Sequence, residues 1–125
     1  MSANDSIIEL LREVLEPAGV FKSRAMFGGH GMYLDRVFFA ILDDGVLYFK
    51  TSNETCSGFD AEGMPAFTYP TKKGTQALAT YRRVPERLYD ETDELVAWAH
   101  DAVRAARAAA VKKKPRTKGA RLRKS

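Results

Sequence analysis

Apolar positions recur along this chain with two different periods. Ile7, Ile8, Leu11, Val14 and Leu15 fall on one face at helical spacing, and Ser6-Ile7-Ile8-Glu9 has the spacing of a capping box. The pattern predicts a helix over about 6–16, stopped by Pro17 and Gly19. Glu9, Arg12, Glu13 and Glu16 then form its solvated face. From Arg24 to Lys50 the pattern changes to runs rich in Val, Ile, Phe and Tyr, which suit a pleated, half-buried surface. Three strands are expected there, over 26–34, 37–42 and 46–50. Asp35-Arg36 makes the first reversal and Asp43-Asp44-Gly45 the second, and only the second contains a glycine. Gly28, Gly29 and Gly31 interrupt the first strand, as at a bulge or a close backbone approach.

The remaining pattern predicts a short helix over about 54–62, anchored by Phe59 and ended by Gly63. A fourth strand is expected over 67–69, between Pro65 and Pro70, and a fifth over 77–84 after the Lys72-Lys73-Gly74-Thr75 turn. In the fifth, Leu78, Thr80 and Arg82 alternate with Ala79, Tyr81 and Arg83. A final helix starts from a cap at Asp90 or Thr92. It aligns Leu95, Trp98, Ala99, Ala102, Val103 and Ala106, and runs to about Val111, with Pro115 limiting it. The order α-β-β-β-α-β-β-α reads as an α+β fold. Its five-stranded antiparallel sheet has helices on one face, so the architecture is a two-layer α/β one.

Charge divides the chain into an expected domain, residues 1–111, and a tail, 112–125. The domain holds 12 Lys and Arg against 16 acidic residues, close to −4. The last 14 residues hold eight Lys and Arg and no acid. With almost nothing to bury, the tail reads as disordered. Lys112, Lys113, Lys114, Arg116, Lys118, Arg121, Arg123 and Lys124 make a cationic arm suited to nonspecific contact with the phosphates of DNA or RNA. No aromatic residue is interleaved there for base stacking. A single cysteine, Cys56, excludes an intramolecular disulfide. Residues 1–20 lack a signal-peptide pattern, and no apolar run reaches the roughly 20 residues that span a bilayer. A cytoplasmic protein without a membrane partner is expected.

No catalytic constellation stands out. Gly28-Gly29-His30-Gly31 lacks the spacing of a phosphate loop and opens a strand rather than a helix. His30, His100 and Cys56 lie on three elements without ligand spacing, so neither a metal nor a cofactor is expected. Tyr33, Tyr48, Tyr69 and Tyr81 fall on different strands. If they share a face with Arg24, Lys50, Arg82 or Arg83, they form a recognition surface. The rival reading is a small enzyme or ligand-binding protein. Its pocket would lie beside 28–31, with Arg24, His30 or Cys56 as polar groups.

Ordered motifs carry a resemblance. Arg24-x-Met26-Phe27-Gly28-Gly29-x-Gly31-x-Tyr33 is followed by Val46-Leu47-Tyr48-Phe49-Lys50, by Gly63-Met64-x-x-Phe67-x-Tyr69 and by Tyr81-x-x-Val84-Pro85. Over about residues 6–108 the chain resembles the TfoX/Sxy N-terminal domain, a bacterial family. The resemblance implies the same two-layer fold and a non-enzymatic regulatory or adaptor role with a protein partner. The best-known members look like regulators of competence genes that act with a cyclic-AMP-responsive activator at promoters. They carry a second, helical domain, and this chain reads as a stand-alone N-terminal domain with a basic tail, monomeric or homodimeric. The possible recognition surface on the family motif comprises Arg24, Met26, Phe27, Gly28, Gly29, Gly31 and Tyr33.

Overall fold

A computed structural model describes residues 3–26 and 29–119, without the side chains of residue 3 and of 112–119. Helix α1 (Ala3–Leu15) begins three residues before the expected start. Its apolar stripe places Leu11 and Leu15 entirely out of water. A 3-10 turn, Glu16–Ala18, ends it at Pro17. The strands are β1 (Phe21–Met26), β2 (Gly29–Leu34), β3 (Val37–Asp43), β4 (Val46–Lys50), β5 (Ala66–Thr71) and β6 (Gly74–Arg83). A short helix α2 (Cys56–Ala61) follows β4, a 3-10 turn Glu86–Tyr89 follows β6, and α3 (Thr92–Gly119) completes the described chain. The sheet is antiparallel throughout, in the order β1-β2-β3-β4-β6-β5.

The sheet thus has six strands, not the expected five. The stretch read as one strand over 26–34 divides: Met26 ends β1, Gly29 opens β2, and the two residues pair. The added strand, β1, escaped the hydrophobic pattern because it is an edge strand. Phe21 is buried, while Lys22, Arg24 and Ala25 are exposed, which suits an edge that must not recruit other strands. The helix α3 also extends past the expected end near Val111, to Gly119. The tail cations Lys112, Lys113, Lys114, Arg116 and Lys118 lie outside the described side chains, and Arg121, Arg123 and Lys124 lie outside the described residues.

Helices cover one face of the sheet. Leu95, Ala99, Ala102, Val103 and Ala106 turn one side of α3 into a buried stripe. Its alanines let the helix lie close over β3 and β4. Met32, Leu34, Phe39, Leu42, Leu47 and Phe49 meet it from the sheet. Burying one such large side chain contributes about 1.5–3 kcal/mol, so this layer carries the stability of the fold. Phe59 of α2 meets Trp98 of α3 edge-on, with ring centroids 4.7 Å apart.

Arg87 ties the connections together. It pairs with Glu62 before β5 and with Glu91 and Glu94 at the start of α3, and its guanidinium lies 6.0 Å from the Trp98 ring centroid. The side-chain hydrogen bonds of Arg87 hold the Glu62 and Glu94 carboxyls below their ordinary range.

Two irregularities reset which way side chains point. In β3, Met32 faces Ala40 and Tyr33 faces Phe38, which leaves Phe39 as the extra residue. In β6, Leu78 faces Phe67 while Arg82 faces Ala66. Beyond the second irregularity, residues Thr71–Thr80 are exposed throughout, so β5 and β6 project as an arm with Lys72-Lys73 at its tip.

Candidate functional site

Among the described residues, no helix lies over the face of the sheet opposite α1 and α3. Because side chains alternate along a strand, the burial of Met32, Leu34, Leu47 and Phe49 under the helices turns Tyr33 and Tyr48 outward. Cross-strand pairing carries the assignment across the sheet. Lys22 faces Tyr33, Arg24 faces Gly31, Tyr48 faces Arg83, and Lys50 faces Tyr81. On this open face, Ile41, Phe67 and Tyr81 form a second apolar cluster, flanked by half-buried Phe38, Tyr48 and Tyr69.

The rings touch in two groups. Tyr33 meets Phe38 at 5.3 Å and Phe38 meets Tyr81 at 5.8 Å; Tyr48 meets Phe67 at 5.0 Å and Phe67 meets Tyr69 at 6.0 Å. Lys50 Nζ sits 5.2 Å from the Tyr81 ring centroid and donates to Thr80 Oγ1 at 3.0 Å. Burial pushes the Tyr81 phenol up to about 12, with the neighbouring Tyr33 adding to it. Burial also raises Tyr48, opposed by the nearby Arg83 charge and reinforced by Asp43.

All four tyrosines singled out from the sequence therefore share one face. Arg24, Lys50 and Arg83 join them. Arg82 does not: it points to the helix side, donates from Nε to the Met64 carbonyl at 2.9 Å and pairs with Asp60. The close approaches expected at the glycines are present at Gly29 and Gly31. A Cβ on Gly29 would meet the Leu42 carbonyl oxygen, and one on Gly31 would meet the Met26 and Phe38 side chains. Gly31 lets Met26 and Phe38 close over the open face. Phe27 and Gly28 lie outside the described residues.

The pocket expected beside residues 28–31 is not assembled from its three polar groups. Arg24 is on the open face, whereas His30, one residue out of phase with Gly31, turns toward the helices. There its Nδ1 is buried without a hydrogen-bond partner among the described residues. Cys56 opens α2, with Sγ 3.5 Å from the Asn53 carbonyl oxygen. Arg24 lines a pocket of about 510 Å³ with Val20, Lys22, Tyr33, Asp35 and Arg36; neither His30 nor Cys56 takes part. Among the described residues, no cluster of His, Cys, Asp and Glu has the arrangement of a metal site. No described helix is long and apolar enough to cross a membrane.

The TfoX N-terminal domain model matches residues 13–106, from the end of α1 through the buried stripe of α3. The chain belongs to the TfoX family, and all six strands lie within the matched region. It is similar to the DNA transformation protein TfoX1 of Aliivibrio fischeri (strain ATCC 700601 / ES114), at 35% identity over 68 residues. That similarity covers 54% of this chain and 32% of the relative, so the match spans about a third of the longer protein.

Proposed function

We propose that the chain is a regulatory protein that acts by binding rather than by bond chemistry, in the regulation of DNA transformation. The observation that carries this is the open sheet face. It presents two groups of aromatic rings around Ile41, edged by Lys22, Arg24, Lys50 and Arg83, while the domain as a whole carries more acid than base. Aromatic and arginine side chains in that combination are those enriched at interface centres. The relative's description as a DNA transformation protein supports the setting.

In this reading a protein of the transcription machinery docks on the open face, in the cytoplasm. The eight tail cations, Lys112 to Lys124, hold the assembly at nucleic acid by counterion release. Fluorescence anisotropy with duplex DNA tests the tail. The full chain should bind with a log–log salt slope bounded near about −7, and a full chain with the eight cations replaced by glutamine should not. Equal binding by the two refutes the tether. A photo-reactive residue at Tyr69, compared with one at Glu13 on the outer side of α1, tests the face. Protein adducts should form from the first position and not from the second; equal recovery refutes the assignment.

A further inference from the structure

The pocket at the β1 margin of the open face shares Lys22 and Arg24 with the docking surface and adds Val20, Asp35 and Arg36 to them. Lys22 and Arg24 reach it from alternate residues of β1, and Tyr33 comes from the facing position on β2. Asp35 and Arg36 reach it from the β2–β3 turn. Lys22, Arg24 and Arg36 make no ion pair with a carboxylate among the described residues, in contrast to Arg12, Arg82, Arg87 and Arg104. Asp35 is occupied as a strut: its Oδ1 accepts from the Val20 N–H at 2.9 Å, and its own N–H donates to the Val20 carbonyl at 2.9 Å. Those two bonds fix Val20 at the rim, where it is 60% exposed although apolar.

The turn that delivers Arg36 is itself held against preference. Asp35 has φ 50° and Arg36 φ 72°, so both central residues of this two-residue hairpin are left-handed. The equivalent reversal between β3 and β4 uses Asp44-Gly45 for the same geometry. Glycine is the relaxed choice at the second position, and a bulky residue held there marks a place where the side chain matters. Here that side chain is the third cation of the pocket.

We propose that this pocket binds a nucleotide, with Lys22, Arg24 and Arg36 on its phosphate and Tyr33 with Val20 against its base. Guanidinium groups bind phosphate oxygens in pairs, an aromatic ring stacks on any base, and about 510 Å³ accommodates one nucleotide. The ligand is either a free mononucleotide or one nucleotide of a single strand. The site differs from the glycine-rich phosphate loop considered over residues 28–31, since side chains rather than backbone amides supply the donors. It depends on neither the basic tail nor a protein partner.

The test uses the full chain with the eight tail cations replaced by glutamine, followed by amide NMR. The probes are adenosine monophosphate, adenosine, inorganic phosphate and a short oligodeoxyadenylate. Adenosine monophosphate should shift amides confined to 20–24 and 33–36, and bind at least about tenfold more tightly than adenosine or phosphate alone. Arg24→Ala and Arg36→Gly should each weaken it about tenfold, the usual loss for one charge-assisted phosphate contact. Arg36→Gly suits its backbone angle, so this variant keeps its fold and its thermal midpoint. Binding of the oligonucleotide alone, at the same amides and with the same losses, supports the site and assigns it to a strand. Phosphate binding as tightly as the nucleotide, shifts centred elsewhere, an unchanged affinity in Arg36→Gly, or no binding of any probe overturns it.

Discussion

Replacing Gly29 by alanine tests how closely β2 approaches β3, and Gly31→Ala is its control. A Cβ at residue 29 would lie 2.2 Å from the Leu42 carbonyl oxygen and 3.2 Å from Asp43 Cα. Both obstacles are backbone, next to the pairing of His30 with Leu42. Carbon–oxygen contacts between strands need about 3.3 Å, so the strands must part by roughly 1 Å. Overpacking that side chains can absorb costs about 1–3 kcal/mol. Here a ladder hydrogen bond is lost as well, at about 1 kcal/mol, while the stiffer unfolded chain returns about 0.4–1 kcal/mol. The net expectation is a loss of about 3 kcal/mol. At residue 31 the Cβ would lie 2.6 Å from Met26 Cε and 2.8 Å from Phe38 Cε1. A methionine end can swing aside, so the loss should be about 1 kcal/mol. Urea unfolding followed by Trp98 fluorescence reads both. With a slope of about 1.5 kcal/mol/M, the midpoint should fall by about 2 M for Gly29→Ala and by less than about 1 M for Gly31→Ala. A Gly31→Ala loss equal to or larger than that of Gly29→Ala refutes the reasoning.

Absorbance titration should show one tyrosine ionising near about 12 and missing from Tyr81→Phe. Because this folded value lies above the ordinary 10.0, the contribution of Tyr81 is fully present below pH 10.0 and is lost as pH rises toward about 12, a decline that Tyr81→Phe should lessen. Phe49→Ala, at a fully buried site facing α3, should cost about 3–5 kcal/mol in urea unfolding. Glu62 and Glu94 have folded values below the ordinary 4.5, so their contribution is present above 4.5 and is lost as pH falls below it. Arg87→Met should therefore flatten the fall of the thermal midpoint on the acid side.

The helices and the core strands were legible because each has one strongly apolar side: Ile8-Leu11-Leu15, Leu95-Ala99-Ala102, Leu47-Phe49. The edge strand β1 was hidden because its exposed positions are Lys22, Arg24 and Ala25, which leaves Phe21 as its one buried large side chain. The shared face of the tyrosines was hidden for another reason. Strict alternation carries orientation along a strand only until a residue is inserted. Phe39 in β3 and the irregularity after Leu78 in β6 each break the count. Leu78 and Tyr81 both lie on the open face although three positions separate them, and simple alternation assigns them to opposite sides. The sequence shows the charge of Arg82 but not its Asp60 and Met64 partners, which turn it to the helix side. The β1-margin pocket joins three segments, at residues 20–24, 33 and 35–36, through pairing of an edge strand that the pattern did not disclose.

The placement of α3 has a consequence for how the protein is made. Its buried stripe, from Leu95 to Ala106, lies over β3 and β4, which are complete by Lys50. On a ribosome that meander emerges some fifty residues before the helix that seals it. Until then Leu42, Leu47 and Phe49 lack the α3 stripe that covers them. The nascent domain therefore stays open until α3 clears the exit tunnel. A stalled or shortened message would release a sheet with its apolar side bare, a natural substrate for chaperones and proteases.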